Sequence, residues 1–364
     1  MGTFFQNPGQ ALSDADVWRN GLDMAGAAEP LGFDSVWSAE HHFTDYHMCP
    51  NVAQFLTWVA SRTTRVLLGS MVMVLPWHEP IRLAEEVSVL DHMSGGRVLL
   101  GLGRGLGRVE FDAFRLEMGE SRRRFTEYTE AILTALETGV IAYDGELYQQ
   151  PPAAIRPAPF ASFKGRVYAS AISPESSQIL AKMGIGMMII AQKPWATVEA
   201  DVAAYRDLYR EVNGAEAPKP LLVSWVAVHE SEAMATEMFE RYINGYTDST
   251  LVHYEFANEA LAAIPGYEYY GKLAQRINKH GPETFSRFLA ELQVWGTPAQ
   301  VTEQLRENVR RIDGAGVVGV FNYAGMPHEV ARANLGCFAE TVLPVLHGID
   351  TGPPLGLAVA AGAR

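Results

Sequence analysis

The sequence predicts an α/β fold, a (β/α)8 TIM barrel with insertions after strands four and seven, and three observations carry that expectation. Strand-like and helix-like segments alternate with short joins along most of the 364 residues, the rhythm of parallel βα units. The run V-L-L-G-S-M-V-M-V from Val66 is continuously apolar, as in a strand covered on both faces; a half-exposed strand would alternate. Eight such strands suit a closed barrel better than an open sheet. One domain over residues 1–350 follows, with a C-terminal tail over 351–364 set off by the Gly-Pro-Pro break at Gly352.

Residues 3–6 supply a short first strand and 14–30 the first helix. Gly32 marks a turn before a strand over 33–37, and Pro50 with Asn51 opens a helix reaching Thr63. The apolar run from Val66 is strand three. After Pro80, the spacing of Leu83, Val87 and Leu90 gives the stripe of a helix packed on a sheet, ended by Gly95 and Gly96. R-V-L-L-G-L-G from Arg97 is strand four. Residues 121–137 form a long helix, and 139–162, proline-rich with weak strand signals, the first insertion. R-V-Y-A-S-A from Arg166 resumes the strands, followed by helix 175–183, strand 186–191, helix 195–212 and a seventh strand in P-L-L-V-S-W-V-A-V from Pro220. Residues 231–292 are longer and more polar, and this second insertion is expected to be a lid or an interface element. Helix 300–314, strand 317–322 and helix 328–346 close the barrel.

Hydrophobic residues make up 48% of the chain and charged residues 20%, which excludes a disordered chain. With 29 Lys and Arg against 42 Asp and Glu, the formal charge of -13 disfavours nucleic acid and anionic membranes as partners. Two cysteines, Cys49 and Cys337, give no disulfide framework and fit a reducing compartment. The N-terminus lacks a secretory pattern and no apolar run is long enough for a bilayer, so the expected location is cytoplasmic.

In such a barrel the loops at the C-terminal strand ends form one active face. Glu40, His41 and His42 follow strand two, Arg104 follows strand four, and Ser170 with Ser173 follows strand five. The stretch G-L-G-R-G-L-G-R from Gly101 fits neither the dinucleotide fingerprint nor a P-loop. Its glycines would let backbone approach a ligand while Arg104 meets a phosphate, or Arg104 braces the loop through an ion pair. Ser173 before Pro174 is a good N-cap, and with Ser176 could hold phosphate oxygens at a helix start; capping alone also explains it. Glu40, His41 and His42 admit an acid/base role, a bracing role or a metal role. Adjacent histidines cannot share a helical face, and the sequence shows no complementary ligand cluster, so no metal is expected. Cys49 has no activating partner.

The segments G-F-D-S-V-W-S-A-E-H-H-F-T, L-L-G-S-M-V-M-V-L-P-W-H-E-P-I-R, L-D-H-M-S-G-G-R, L-G-L-G-R-G-L, Y-A-S-A-I-S-P-E-S-S and V-W-G-T-P, in this order and spacing, resemble the bacterial luciferase-like flavin monooxygenases of the alkanal monooxygenase type. The resemblance implies a two-component enzyme. It would use reduced FMN from a separate flavin reductase, with molecular oxygen, to oxidise a small organic, apolar or carbonyl-containing substrate through a flavin C4a-(hydro)peroxide. It implies a catalytic role for His41, a phosphate role for Arg104, Ser173 and Ser176, and a place beside the cofactor for Glu40, Met71, Val72, Ala171 and Ile172, with a bulge or an unusual non-prolyl cis bond at Met71–Val72. A homodimer is implied as well. Gly103 stands where luciferase has a reactive cysteine, and Gly107 where it has an aromatic residue. A deazaflavin-dependent oxidoreductase on the same barrel and a noncatalytic flavin-binding subunit remain the alternatives.

Overall fold

Runs of apolar residues become strands because both their faces are covered, inside by other strands' side chains and outside by helices. The computed structural model describes residues 1–352 and Leu355. It carries β1 (Gly2–Thr3), α1 (Asp14–Ala27), β2 (Ser35–Ser38), α2 (Val52–Ala60), β3 (Leu67–Ser70) with its continuation β4 (Met73–Val74), α3 (Pro80–Ser94), β5 (Val98–Gly103), α4 (Arg108–Phe114) and α5 (Ser121–Thr138). A hairpin of β6 (Val140–Asp144) and β7 (Gln149–Ala154) leads to β8 (Val167–Ser170), α6 (Pro174–Met183), β9 (Gly186–Ile190), α7 (Trp195–Asn213) and β10 (Leu221–Val228). Next come α8 (Glu232–Met238), α9 (Asn244–His253), α10 (Glu268–His280), α11 (Pro282–Glu291) and β11 (Val294–Gly296). The chain closes with α12 (Pro298–Ile312), β12 (Gly316–Val320), α13 (His328–Cys337) and α14 (Leu343–His347).

Parallel pairing runs β1, β2, β3, β5, β8, β9, β10, β12 and back to β1, which closes the (β/α)8 barrel. The β6–β7 hairpin follows the fourth barrel strand, and the helices from α8 to α11 with β11 follow the seventh, where β11 extends the sheet beside β10. Helix starts use the side chains the sequence offers: Asn51 accepts the backbone N–H of Gln54, and Thr297 forms a capping box with Gln300. Gly95 ends α3 at φ 68°, a conformation that favours glycine.

Four boundaries differ from expectation, each for a physical reason. The first strand is Gly2–Thr3, not residues 3–6: Phe5 gives its N–H to His47 Nδ1, and its carbonyl accepts from Met48, so the chain leaves the sheet ladder for the loop after β2. Strand three is split into β3 and β4 by a cis peptide bond between Met71 and Val72, at the position the resemblance implied. The Gly-rich stretch after β5 is followed by a short helix, α4, whose seven residues carry too little periodicity to announce themselves. The last helix is interrupted by a π-turn over Phe338–Val342 just before Pro344, which has no N–H to continue the ladder. Of the tail expected over 351–364, most lies outside the described residues.

The second insertion has a core of its own. Phe111 and Met118 from the loop region after β5 pack with Leu251, Phe256, Leu261, Tyr267, Tyr270, Ile277 and Leu289, separate from the main core. This cluster fastens the insertion beside the mouth of the barrel rather than leaving it as a free loop. No helix among the described residues is long and apolar enough to cross a membrane.

Candidate active site

The C-terminal ends of the strands surround a cavity with about 840 Å³ of empty space, its open mouth included. Of the residues singled out in the sequence, Glu40, His41, Met71, Val72, Arg104, Ile172 and Ser176 line it. Ala171 and Ser173 flank the wall without lining it; Ser173 is buried and caps α6, its hydroxyl 2.9 Å from that of Ser176. His42 lies behind Glu40.

Two carboxylates organise the histidines. Glu40 is buried; its Oε2 accepts the N–H of Val74 at 2.7 Å, and its Oε1 lies 3.0 Å from His42 Nε2 and 2.9 Å from His78 Nε2. Burial works against its charge, but the His78 charge and these three hydrogen bonds outweigh it and lower the carboxyl below the ordinary range. Burial likewise opposes a charge on His78, and Glu40 overcomes it and raises the imidazole. Glu40 therefore braces the loops after β2 and β4.

Glu110, on α4 and 1% exposed, holds the second group. Its Oε1 accepts the backbone N–H of His42 at 2.8 Å and faces His41 Nδ1 at 3.0 Å. The other nitrogen of His41, Nε2, lies 3.1 Å from the hydroxyl of Tyr254, which also lines the cavity. Burial raises the Tyr254 phenol well above its ordinary value, so it stays protonated and donates. His41 thus carries its proton on Nδ1, toward Glu110, and accepts at Nε2. His253 Nε2 sits 3.2 Å from the same Nδ1 and shares that proton as an acceptor. Burial, with His41 nearby, lowers His253 to about 2, and burial lowers His47 to about 3. Both are neutral, and Tyr46 stacks on His253 at 4.1 Å to hold the ring.

Sequence spacing gives no sign of Glu110, His253 or Tyr254, which come from a short helix and from the insertion. The fold also assembles the ligand cluster that the sequence did not display: donor atoms of His41, Glu110 and His253 lie within 4.8 Å of one another. Each donor is already engaged in the hydrogen bonds above, which suit proton handling.

The opposite end carries the cavity's guanidinium. Arg104 gives one N–H to Gly266 O at 2.9 Å and stacks on Tyr267 at 4.2 Å, which fixes the guanidinium plane while leaving other donors facing the cavity. Tyr270 lies against it, its phenol pushed up to about 12 by burial while Arg104 opposes. Arg122, unsignalled in the sequence, pairs with Glu175 in the first turn of α6 at 2.7 Å, and its buried Nε has no partner among the described residues. The start of α6, with Ser173 Oγ accepting the N–H of Ser176, turns the positive end of its dipole and the Ser176 hydroxyl toward this end. Between the two ends lie Met71, Val72, Val74, Met188 and Ile190, an apolar bed. A Cβ at Gly103 would meet Val72 Cγ2 at 2.2 Å, so a cysteine there would have to displace the bed. At Gly107 a Cβ would lie 3.1 Å from Glu110 Oε2 and 3.2 Å from His253 Nε2, which leaves no room for an aromatic ring unless that pair moves. Cys49 is buried and its thiol is pushed up to about 12 by burial, which keeps it in the unreactive thiol form.

Residues 1–313 match the family described as luciferase-like monooxygenase. The alkanal monooxygenase alpha chain of Photobacterium leiognathi is 28% identical over 353 residues, covering 94% of this chain and 96% of the relative. Among solved structures, monooxygenase RslO1 from Streptomyces bottropensis superposes with a TM-score of 0.77 at 22% identity, over 95% of this chain and 98% of that one. The oxygenating constituent of 3,6-diketocamphane monooxygenase from Pseudomonas putida, solved in complex with FMN, superposes with a TM-score of 0.71 at 16% identity, over 94% and 97%. These two likenesses concern the fold.

Proposed function

Since the chain belongs to the luciferase-like monooxygenase family, we propose that it is the oxygenating component of a two-component, FMN-dependent monooxygenase acting on a small apolar or carbonyl-containing compound. The observation that carries this reading is one cavity with a cation and a capped helix start at one end, an apolar bed in the middle and the Glu110–His41–Tyr254 line at the other. A flat ring system with a phosphorylated tail fits those three parts in that order. Reduced FMN, once bound, supplies the electron pair with which one atom of dioxygen enters the substrate and the other leaves as water.

The chain's residues do the rest. Arg104, with the Ser176 hydroxyl and the positive end of the α6 dipole, holds the phosphate; Arg122, whose charge is paired with Glu175, offers its Nε–H behind them. Met71, Val72 and Val74 support the ring. Tyr254 Oη faces the reacting end and moves a proton to or from it, His41 Nε2 serves as the partner on its far side, and Glu110 stabilises any positive charge that reaches the imidazole. Glu40 keeps the loop carrying His41 in place. The satellite core of the second insertion excludes bulk water from this end, which limits wasteful release of hydrogen peroxide. Oxygen and a separate flavin reductase are the partners this chemistry requires, and a homodimer is the assembly we assign.

Anaerobic titration with reduced FMN, followed by an oxygen pulse and product analysis over aldehydes, ketones and aromatics, tests the reading. Arg104→Ala should weaken reduced-FMN binding by about tenfold or more, the worth of a charge-assisted hydrogen bond. Equal affinity in the variant removes Arg104 from the phosphate site, and the absence of any oxygenated product with reduced FMN bound removes the monooxygenase assignment.

A further inference from the structure

A second cavity opens beside the first, between the start of α7 and the helices α10 and α11, with about 1220 Å³ of empty space including its open side. Gln192, just after β9, belongs to the walls of both cavities. None of the hydrogen bonds among the described residues uses its side-chain amide. The floor of the second cavity is apolar, formed by half-buried Leu273, Phe285 and Phe288. Two cations border it, and they are not equivalent. Lys193 is neutralised by an ion pair with Asp201, whereas Arg276 is exposed and forms no ion pair among the described residues.

We propose that this second cavity receives the body of the organic substrate, and that the substrate is an elongated apolar compound ending in a carboxylate, which Arg276 binds. The proposal rests on the flavin reading of the first cavity: a flavin lying between Arg104 and His41 fills that space and sends the rest of the substrate past Gln192. The free amide can then hydrogen-bond a polar atom at the boundary, the apolar floor takes the chain or ring, and the uncompensated guanidinium supplies a planar match for a carboxylate. A neutral substrate of the same shape would gain the floor and forgo the end contact.

Octanoate serves as the probe, with octan-1-ol as its uncharged counterpart, each titrated calorimetrically into the protein under anaerobic conditions with and without reduced FMN. Octanoate is expected to bind in both cases. Arg276→Glu should weaken octanoate by about tenfold or more while leaving the alcohol unchanged. Leu273→Trp, which fills the floor, should weaken both probes, and reduced FMN should bind all three proteins alike. Equal octanoate affinity in Arg276→Glu, or displacement of octanoate by reduced FMN, overturns this proposal while the flavin reading stands. Failure of the unaltered protein to bind reduced FMN overturns both.

Discussion

Tyr254 and His41 both line the cavity, but the Tyr254 hydroxyl covers the one nitrogen of His41 that Glu110 leaves open. An imidazole whose Nδ1 proton is committed to Glu110 has only Nε2 for chemistry, and Tyr254 occupies that nitrogen at 3.1 Å. On the proposed reading, protons pass through the phenol. Tyr254→Phe keeps the ring and its packing against Tyr46 and Phe256 and removes only the hydroxyl. If the phenol transfers the proton, oxygenated product per reduced FMN consumed should fall about 100-fold, the usual scale of general acid–base catalysis, with hydrogen peroxide rising to match. The solvent isotope effect on product formation should also change, while reduced-FMN affinity stays the same. Unaltered coupling and an unaltered isotope effect would leave Tyr254 as packing alone.

At the scale of elements, a single carboxylate joins the end of the first βα unit to the start of the third strand. Glu29, just beyond α1, accepts the backbone N–H groups of Thr64, Arg65 and Val66 at 3.0, 2.8 and 2.9 Å, immediately before β3. Burial opposes its charge, but those bonds prevail and hold the carboxyl at about 2, against 4.5 ordinarily. A depressed folded-state value means that the stabilisation is complete above the unfolded value and disappears as pH falls through the folded one. Discounted for solvent screening at this accessible site, it amounts to about 1 kcal/mol. Glu29→Gln should therefore lower the melting temperature at pH 7 and lose its effect as pH approaches 2, as thermal melts across that range would show. An equal deficit at every pH would mean that shape, not charge, is what Glu29 contributes.

Glu29 also marks the limit of what sequence patterns convey. Periodicity and capping residues place α1, α3, α6 and α12 within a few residues, because each signal is local: Ser13, Ser173 and Thr297 sit where their helices begin. Arg104 and His41 were legible as residues of the strand-end cavity through position and motif. Glu110, Tyr254 and Arg122 were not, since a carboxylate on a seven-residue helix and a tyrosine in a long insertion acquire meaning only when the barrel brings them to His41 and α6. The same holds for β11, whose three residues become a strand because β10 offers them an edge.

The whole barrel divides its labour between its two ends, as parallel barrels do. The site occupies the C-terminal strand ends, and the opposite end holds a buried ion pair of Arg166, just before β8, with Asp91 of α3, at 2.9 and 3.0 Å. Arg166 is 2% exposed; it also donates to the carbonyls of Gly96, Val98, Ala161 and Ser162 and lies over Phe163 at 4.0 Å. It thereby ties α3, β5 and the segment after the β6–β7 hairpin to one point beneath the sheet. Arg166→Met leaves Asp91 charged and unpaired in a dry interior, a cost of about 3–5 kcal/mol in unfolding free energy. The double variant Arg166→Met/Asp91→Leu removes the stranded charge and should recover part of that loss, the remainder reporting the abandoned carbonyls. Because none of this pair's hydrogen-bond or ring partners among the described residues lines the cavity, the surviving folded protein should bind reduced FMN as tightly as the parent. Denaturant unfolding and an anaerobic titration, run on the same preparations, separate the two quantities: a loss of stability below about 1 kcal/mol, or a flavin affinity that falls with it, would show that the ends are not independent.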